Sequence, residues 1–263
     1  MKKLLFIMIA VALCFSTVVK AEGEMGVTVD ATYMTKYLWH GIDLNDDAAA
    51  FAPSINIDLG NGWYVGTMYV LPQGDGNAYG IIPRSDMDHW YYWAGFSNEV
   101  MVGEGLQMNY DLKYTYHDMG TFRPMGLKVS GRDADVQELA LDVKMPNMCP
   151  MGFFTPHYKV SYLFDAPGGD LDLFGFEHTA GLAYNFTVAD MVMDGCVDFV
   201  YDDNSYSGDS NWNRMVAGLS TQFEMAGGKL VPAIYYQKPF DDGSTGPLID
   251  DDFYATLSYS FEF

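Results

Sequence analysis

Phe253-Tyr254-Ala255-Thr256-Leu257-Ser258-Tyr259-Ser260-Phe261-Glu262-Phe263 closes the chain, and its alternation decides the fold. Odd positions read Phe, Ala, Leu, Tyr, Phe, Phe, whereas the even positions after Tyr254 read Thr, Ser, Ser, Glu. A period of two puts one face of a strand against apolar surroundings and the other against water. A tilted strand of this length crosses a hydrocarbon core, so the pattern predicts the last strand of a transmembrane β-barrel.

Eleven further segments upstream carry the same period. They are Val27–Trp39, Phe51–Leu59, Trp63–Leu71, His89–Ser97, Leu106–Tyr116, Gln137–Met145, Phe154–Phe164, Leu173–Phe186, Met191–Tyr201, Trp212–Phe223 and Leu230–Gln237. Leu106–Tyr116 is the clearest. There Leu106, Met108, Tyr110, Leu112, Tyr114 and Tyr116 alternate with Gln107, Asn109, Asp111, Lys113 and Thr115. Pro53 and Pro232 soften the boundaries of their segments, because proline donates nothing to a ladder.

The connections alternate in length. Gly60-Asn61-Gly62, Glu99–Gly105, Pro146–Gly152, Thr187–Asp190 and Glu224–Lys229 are short; Pro72–Asp88, His117–Asp135 and Lys238–Asp251 are long. Short turns at one end and long loops at the other are the asymmetry of outer-membrane barrels, with the short end periplasmic. A soluble β-sandwich gives no reason for such alternation. The expectation is an all-β, closed antiparallel barrel of about twelve strands, with long acidic extracellular loops.

The N-terminus supplies an export signal. Met1-Lys2-Lys3 is basic, Leu4 to Val19 is apolar, and Val19-Lys20-Ala21 offers small residues for cleavage after Ala21. Leu13 stands before Cys14 where a lipoprotein signal needs a small residue, which argues against lipidation. The expected domains are a signal peptide over 1–21 and one barrel over 22–263. Losing Lys2, Lys3 and Lys20 leaves 11 basic and 35 acidic residues, a net charge of −24. That field repels nucleic acid and attracts cations. Cys149 and Cys196 remain after cleavage, and an oxidising periplasm permits but does not require their pairing.

The run Tyr33-Met34-Thr35-Lys36-Tyr37-Leu38-Trp39-His40-Gly41-Ile42, followed by Asn61-Gly62-Trp63-Tyr64-Val65-Gly66, resembles the opening of the Gcw-type or TorF-like porin family. Members of that family start with a strand ending in a Tyr-x-x-Arg-Gly-type motif, and later turn tightly into Gly-(Phe/Trp)-Tyr-x-Gly. Here His40 stands in place of the arginine. The resemblance covers about the first quarter of the exported chain and implies an outer-membrane barrel of unassigned substrate. It also implies that the assembly machinery reads the final strand, with Tyr259, Phe261 and Phe263 as its signal, and closes that strand against Val27–Trp39.

With the apolar faces turned to lipid, the opposite faces line a lumen. The candidate lining is Lys36, Asp111, Lys113, Asp142, Lys144, His157, Lys159, Asp198 and Arg214, joined by Asp30, Asp58 and Asp194. Two readings stand side by side: a charged constriction that selects solutes, or an ion-pair network that fills a narrow barrel. Twelve strands enclose a backbone cylinder of roughly 12 Å radius, which admits small molecules after the side chains take their share. Tyr64, Tyr91, Trp93, Tyr235 and Tyr254 fall on the inner face, either as a ladder able to bind a flat or apolar ligand or simply as packing of the interior.

The acidic loops, with Asp43, Asp46 and Asp47, then Asp202, Asp203 and Asp209, then Asp241 and Asp242, lack EF-hand spacing. They read as a surface bridged to lipopolysaccharide by divalent ions rather than as a dedicated metal site. His178 lies on the apolar face of its segment, the place of a catalytic histidine in a barrel lipid hydrolase, but no serine two residues away completes a pair. The expectation is therefore a passive channel for small solutes with a cation preference, needing no cofactor. A closed structural or adhesive barrel is the alternative, and a lipid hydrolase the remote one.

Overall fold

The computed structural model describes residues 25–45, 47–73, 77–78, 82–83, 89–102, 105–119, 135–149, 154–166, 174–205, 210–240, 249 and 251–263. The expected signal peptide lies outside them, as do Asp46, Asp209, Asp241 and Asp242.

Twelve antiparallel strands close into one barrel. They are β1 (Gly26–Met34), β2 (Ala50–Gly60), β3 (Trp63–Pro72), β4 (His89–Val102), β5 (Leu106–Asp118) and β6 (Val136–Lys144), then β7 (Phe154–Asp165), β8 (Phe174–Val188), β9 (Met191–Asp203), β10 (Ser210–Thr221), β11 (Gly228–Pro239) and β12 (Asp252–Glu262). Phe223–Met225 prolongs β10 beyond Gln222 along the same partner. Each strand pairs with its sequence neighbours, and β12 returns to β1 with Val29 opposite Phe261 and Tyr33 opposite Leu257. Phe263 N–H donates to Val27 O at 2.9 Å, sealing the seam. The pairing expected between the final and first strands is thus present, and it satisfies edge groups that lipid cannot.

Alternation sorts the wall as the sequence anticipates. Val29, Ile55, Leu112, Leu139, Leu182, Phe199, Ile234, Leu257 and Phe263 are exposed on the outside, a band that water would not tolerate on this scale. Tyr69 stacks on Trp90 at 4.3 Å and Tyr236 packs on Phe253 at 4.6 Å along it. Pro53 and Pro232 remain inside strands, opposite Ala31 and Leu257. Two-residue turns at Asn61-Gly62, Ala189-Asp190 and Ala226-Gly227 hold both residues at positive φ, the hairpin geometry that matches strand twist. The segment expected as a turn over Glu99–Gly105 is mostly strand, because β4 runs on to Val102.

Two departures from simple alternation shape the interior. The first strand ends at Met34, not at Trp39. Beyond it Leu38–Trp39 pairs with Ile42–Asp43 in a separate small hairpin. In addition, the β9–β10 register shifts: Val200 faces Arg214 but Tyr201 faces Trp212, leaving Asn213 as the extra residue of a β-bulge.

Candidate functional site

The hairpin after β1 folds into the loop end of the barrel. Its tip, His40-Gly41, has φ values of 49° and 85°, the same two-residue turn found at the opposite end. A Cβ on Gly41 would stand 2.7 Å from Arg214 Cδ and 2.9 Å from Gln237 Oε1, so only glycine fits against the wall here. Tyr37 and Trp39 are 5% and 6% exposed, and Ile42 and Leu44 are equally buried. They form one cluster with Ala50, Ala52, Val70, Val136 and Leu163, wall residues that are apolar on the lumenal face. Covering each large side chain contributes about 1.5–3 kcal/mol, so the hairpin is a resident plug.

Polar contacts fasten the plug around the circumference. Tyr37 Oη meets His89 Nδ1 at 2.6 Å and also Tyr91 Oη. Trp39 Nε1 donates to His117 Nδ1 at 3.3 Å, which leaves His117 Nε2–H to donate to Glu138 Oε2 at 3.2 Å. His40 Nδ1 lies 3.1 Å from Glu177 Oε1, and its Nε2 lies 3.8 Å from Glu138 Oε2. Both Arg214 Nη atoms reach Glu177 Oε2 at 3.2 Å. Glu138 Oε1 accepts from Ser161 Oγ at 2.7 Å and from Lys159 Nζ at 3.2 Å. Gln237 Nε2 donates to Gly41 O at 2.8 Å. Lys36, at the root of the plug, pairs with Asp252 and Asp47.

Burial works against the Lys36 ammonium, but its bonds to Asp252 and Asp47 outweigh that and raise its pKa. Burial, followed by the neighbouring Tyr91, pushes the Tyr37 phenol well above its usual range. Burial also raises Asp43, only partly offset by N–H donors from Asp47 and Asn45 at 2.6 and 2.8 Å.

Toward the turn end the lumen stays polar. Tyr64 Oη donates to Asp111 at 2.7 and 2.8 Å, and Trp93 Nε1 to Asn56 Oδ1 at 3.0 Å. His157 Nε2 stands 2.9 Å from Asp198 Oδ1, and Lys144 Nζ 3.8 Å from Asp142 Oδ2. Tyr235 stacks on Tyr254 at 5.0 Å. Cys196 is half-buried and Cys149 is buried.

The nine residues expected to line one pore therefore divide between two levels. Asp111, Lys113, Asp142, Lys144, His157 and Asp198 lie in the polar turn-end half. Lys159 and Arg214 belong to the closed loop-end half, each in an ion pair. Lys36 lies past the end of β1, in the plug itself, because the strand stops five residues earlier than its alternation suggests. His89, His117 and His157 each have the partners just described. His178 is held by Tyr158 Oη at 2.6 Å on the outer face, beside Phe176 and Tyr201. Asp202 is buried and accepts from Ser205 N–H at 2.8 Å, which makes it a turn carboxylate.

Sequence reasoning missed Glu138, Glu177 and the plug residues Tyr37, Trp39 and His40. Glu138 and Glu177 do share the parity of the lumenal face, and Trp39 and Ile42 flank a polar tip with apolar residues that a free loop has no use for.

No protein-family model and no curated protein matches the chain. Among solved structures, its fold is similar to that of the KdgM porin, with a TM-score of 0.50 and 7% identity over 90% of this chain and 99% of that one. The KdgM porin in complex with disordered oligogalacturonate gives a TM-score of 0.50 and 8% identity over the same shares. An outer-membrane channel from Pseudomonas putida F1 aligns over 92% of this chain and 97% of its own at 10% identity, with a TM-score of 0.45. The likeness is one of fold: this chain has the architecture of bacterial outer-membrane barrels.

Proposed function

We propose that the protein is an outer-membrane, porin-like channel for small solutes, held closed at its outer mouth by the plug over residues 37–44. The observation that carries this reading is the contrast between the two halves of the lumen. The loop-end half is a packed core around a foreign hairpin, whereas the turn-end half keeps half-exposed polar and aromatic side chains that a merely structural barrel would have filled. In this reading the turn end faces the periplasm. The lumenal carboxylates Asp30, Asp58, Asp111, Asp142, Asp194 and Asp198 outnumber Lys113 and Lys144, which favours cations at that end. Membership of the Gcw-type or TorF-like family, delivery by the barrel-assembly machinery and a lipopolysaccharide-facing loop surface belong to the same proposal. The protein is not an enzyme in this reading, since the only hydrogen-bond partner of His178 among the described residues is a tyrosine.

A structural barrel with a permanently closed lumen is the second reading, favoured by the ion pairs of Glu138 and Glu177 inside the plugged half. Planar-bilayer recording separates the two. The channel reading expects rare, short openings from the intact protein, and steady conductance once residues 38–43 are replaced by two glycines. A shortened protein that inserts but never conducts refutes it in favour of the structural barrel.

A further inference from the structure

In the turn-end half, two aromatic side chains lie along the wall instead of projecting toward the barrel axis. Tyr64 on β3 faces Gly95 on β4, and Trp93 on β4 faces Gly66 on β3. Each ring occupies the space a side chain on the opposite glycine would fill: a Cβ on Gly95 would strike the Tyr64 phenol, and one on Gly66 would strike the Trp93 indole. The exchange is reciprocal, so the two rings tile adjoining patches of the same wall. Their polar edges are tied outward, Tyr64 Oη to both oxygens of Asp111 and Trp93 Nε1 to Asn56. Both rings are half-exposed. The pair is thus a preorganised aromatic surface with its edges pinned and its faces toward the lumen.

The charges around it select the ligand. Along one cross-strand row stand Asp58, Tyr64, Gly95 and Lys113. Asp58 and Asp111 oppose an anion at the platform. Lys113, half-exposed and without an ion pair among the described residues, stands in the same row and offsets part of that charge, so a cation gains less at the platform than elsewhere in the turn-end half. What remains favoured is an uncharged molecule with a flat, C–H-rich face and both donors and acceptors at its rim. C–H groups carry the small positive polarisation that the aromatic face attracts, and hydroxyls serve Asp58, Asp111 and Lys113 alike.

We propose that Tyr64 and Trp93 form a stacking platform for the sugar ring of a neutral carbohydrate. The proposal deepens the channel reading, from which it takes its biological sense, but binding is measured apart from conduction. Full-length protein in detergent micelles is titrated calorimetrically with maltotriose, trigalacturonate, tetramethylammonium and adenosine. Saturable binding of maltotriose is expected, about tenfold weaker after Trp93→Ala or Tyr64→Ala, the scale of one lost ring contact. Trp90→Phe, on the outer face, should leave it unchanged. Gly95→Ala keeps both aromatics yet forces the Tyr64 ring off the wall, so it should weaken binding even if the alanine variants fail to assemble. Absence of maltotriose binding, tighter binding of any of the other three probes, or binding indifferent to all these lumenal variants overturns the proposal. A protein that binds maltotriose but never conducts would refute the channel and leave the platform standing.

Discussion

Trp212 and Arg214 are two residues apart on β10, yet they lie on opposite sides of the barrel wall. Trp212 is 55% exposed on the lipid side, while Arg214 is buried in the lumen against Glu177. In an unbroken strand they would share a face. Asn213 is the bulge residue that separates them, and it also accepts from Arg214 Nη1 at 2.9 Å.

Deleting Asn213 makes Trp212 and Arg214 direct neighbours, so a regular strand still sends them to opposite faces. What the deletion removes is the bulge itself and the amide oxygen that accepts from Arg214 Nη1. We expect the shortened protein to keep the heat-modifiable gel shift of the folded barrel, with Arg214 still held by Glu177. Loss of the shift would mean that the local bend of the bulge, and not only the facing of the two side chains, is required for the barrel to form.

Gly41→Ala places a methyl group against Arg214 and Gln237 at a residue with φ of 85°. The left-handed conformation alone costs about 1–2 kcal/mol in a non-glycine residue. The plug should loosen while the barrel persists: protease cleavage within residues 37–44 should accelerate, with little change in the heat-modifiable shift. Unchanged cleavage would show that the tip tolerates a side chain.

Glu177→Gln leaves Arg214 buried without its carboxylate and weakens the hold on His40. Removing one partner of a buried ion pair costs about 3–5 kcal/mol. The midpoint for urea unfolding in micelles should fall accordingly. In a double-mutant cycle, His40→Ala should cost much less in the Glu177→Gln background than in the wild type; additive costs would show that the 3.1 Å contact carries no coupling.

Asp43 gives the plug a pH dependence. Its raised pKa means that the docked hairpin holds the proton more tightly than a released one does. Its contribution to docking is complete below the ordinary aspartate value and is lost as pH rises through the raised docked value. Protease cleavage of the plug should therefore slow as pH falls toward 4. Asp43→Asn should flatten that dependence, and an equally steep profile in the variant would assign the effect to another group.

Phe263 is 78% exposed and closes the seam through its backbone to Val27. Removing it loses one lipid-facing side chain and the two hydrogen bonds with Val27. If the assembly machinery reads the terminal aromatic, the truncated protein should accumulate in the periplasm. Near-normal outer-membrane levels would reduce Phe263 to an interfacial anchor.

What the sequence determined by itself was the wall. Alternation over Leu106–Tyr116 or Phe253–Phe263 is a local property, set by which way successive side chains point, and it needs no knowledge of the partner strand. The alternation of short and long connections then closes the sheet, because hairpins fix antiparallel neighbours. Lumenal residues such as Asp111, His157 and Asp198 follow from the same parity. The state of the lumen was decided only in three dimensions. Tyr37 and Trp39 continue the alternation of β1 so smoothly that periodicity alone extends the strand to Trp39, five residues past its end at Met34. Only the inward apolar face made by Ala50, Val70, Val136 and Leu163, drawn from strands far apart in sequence, pulls them off the wall and into a core. Parity places Tyr64 and Trp93 in the lumen, but that their rings lie flat depends on Gly95 and Gly66 across the strand pair. Register is a pairwise property, and a single chain read in isolation does not contain it.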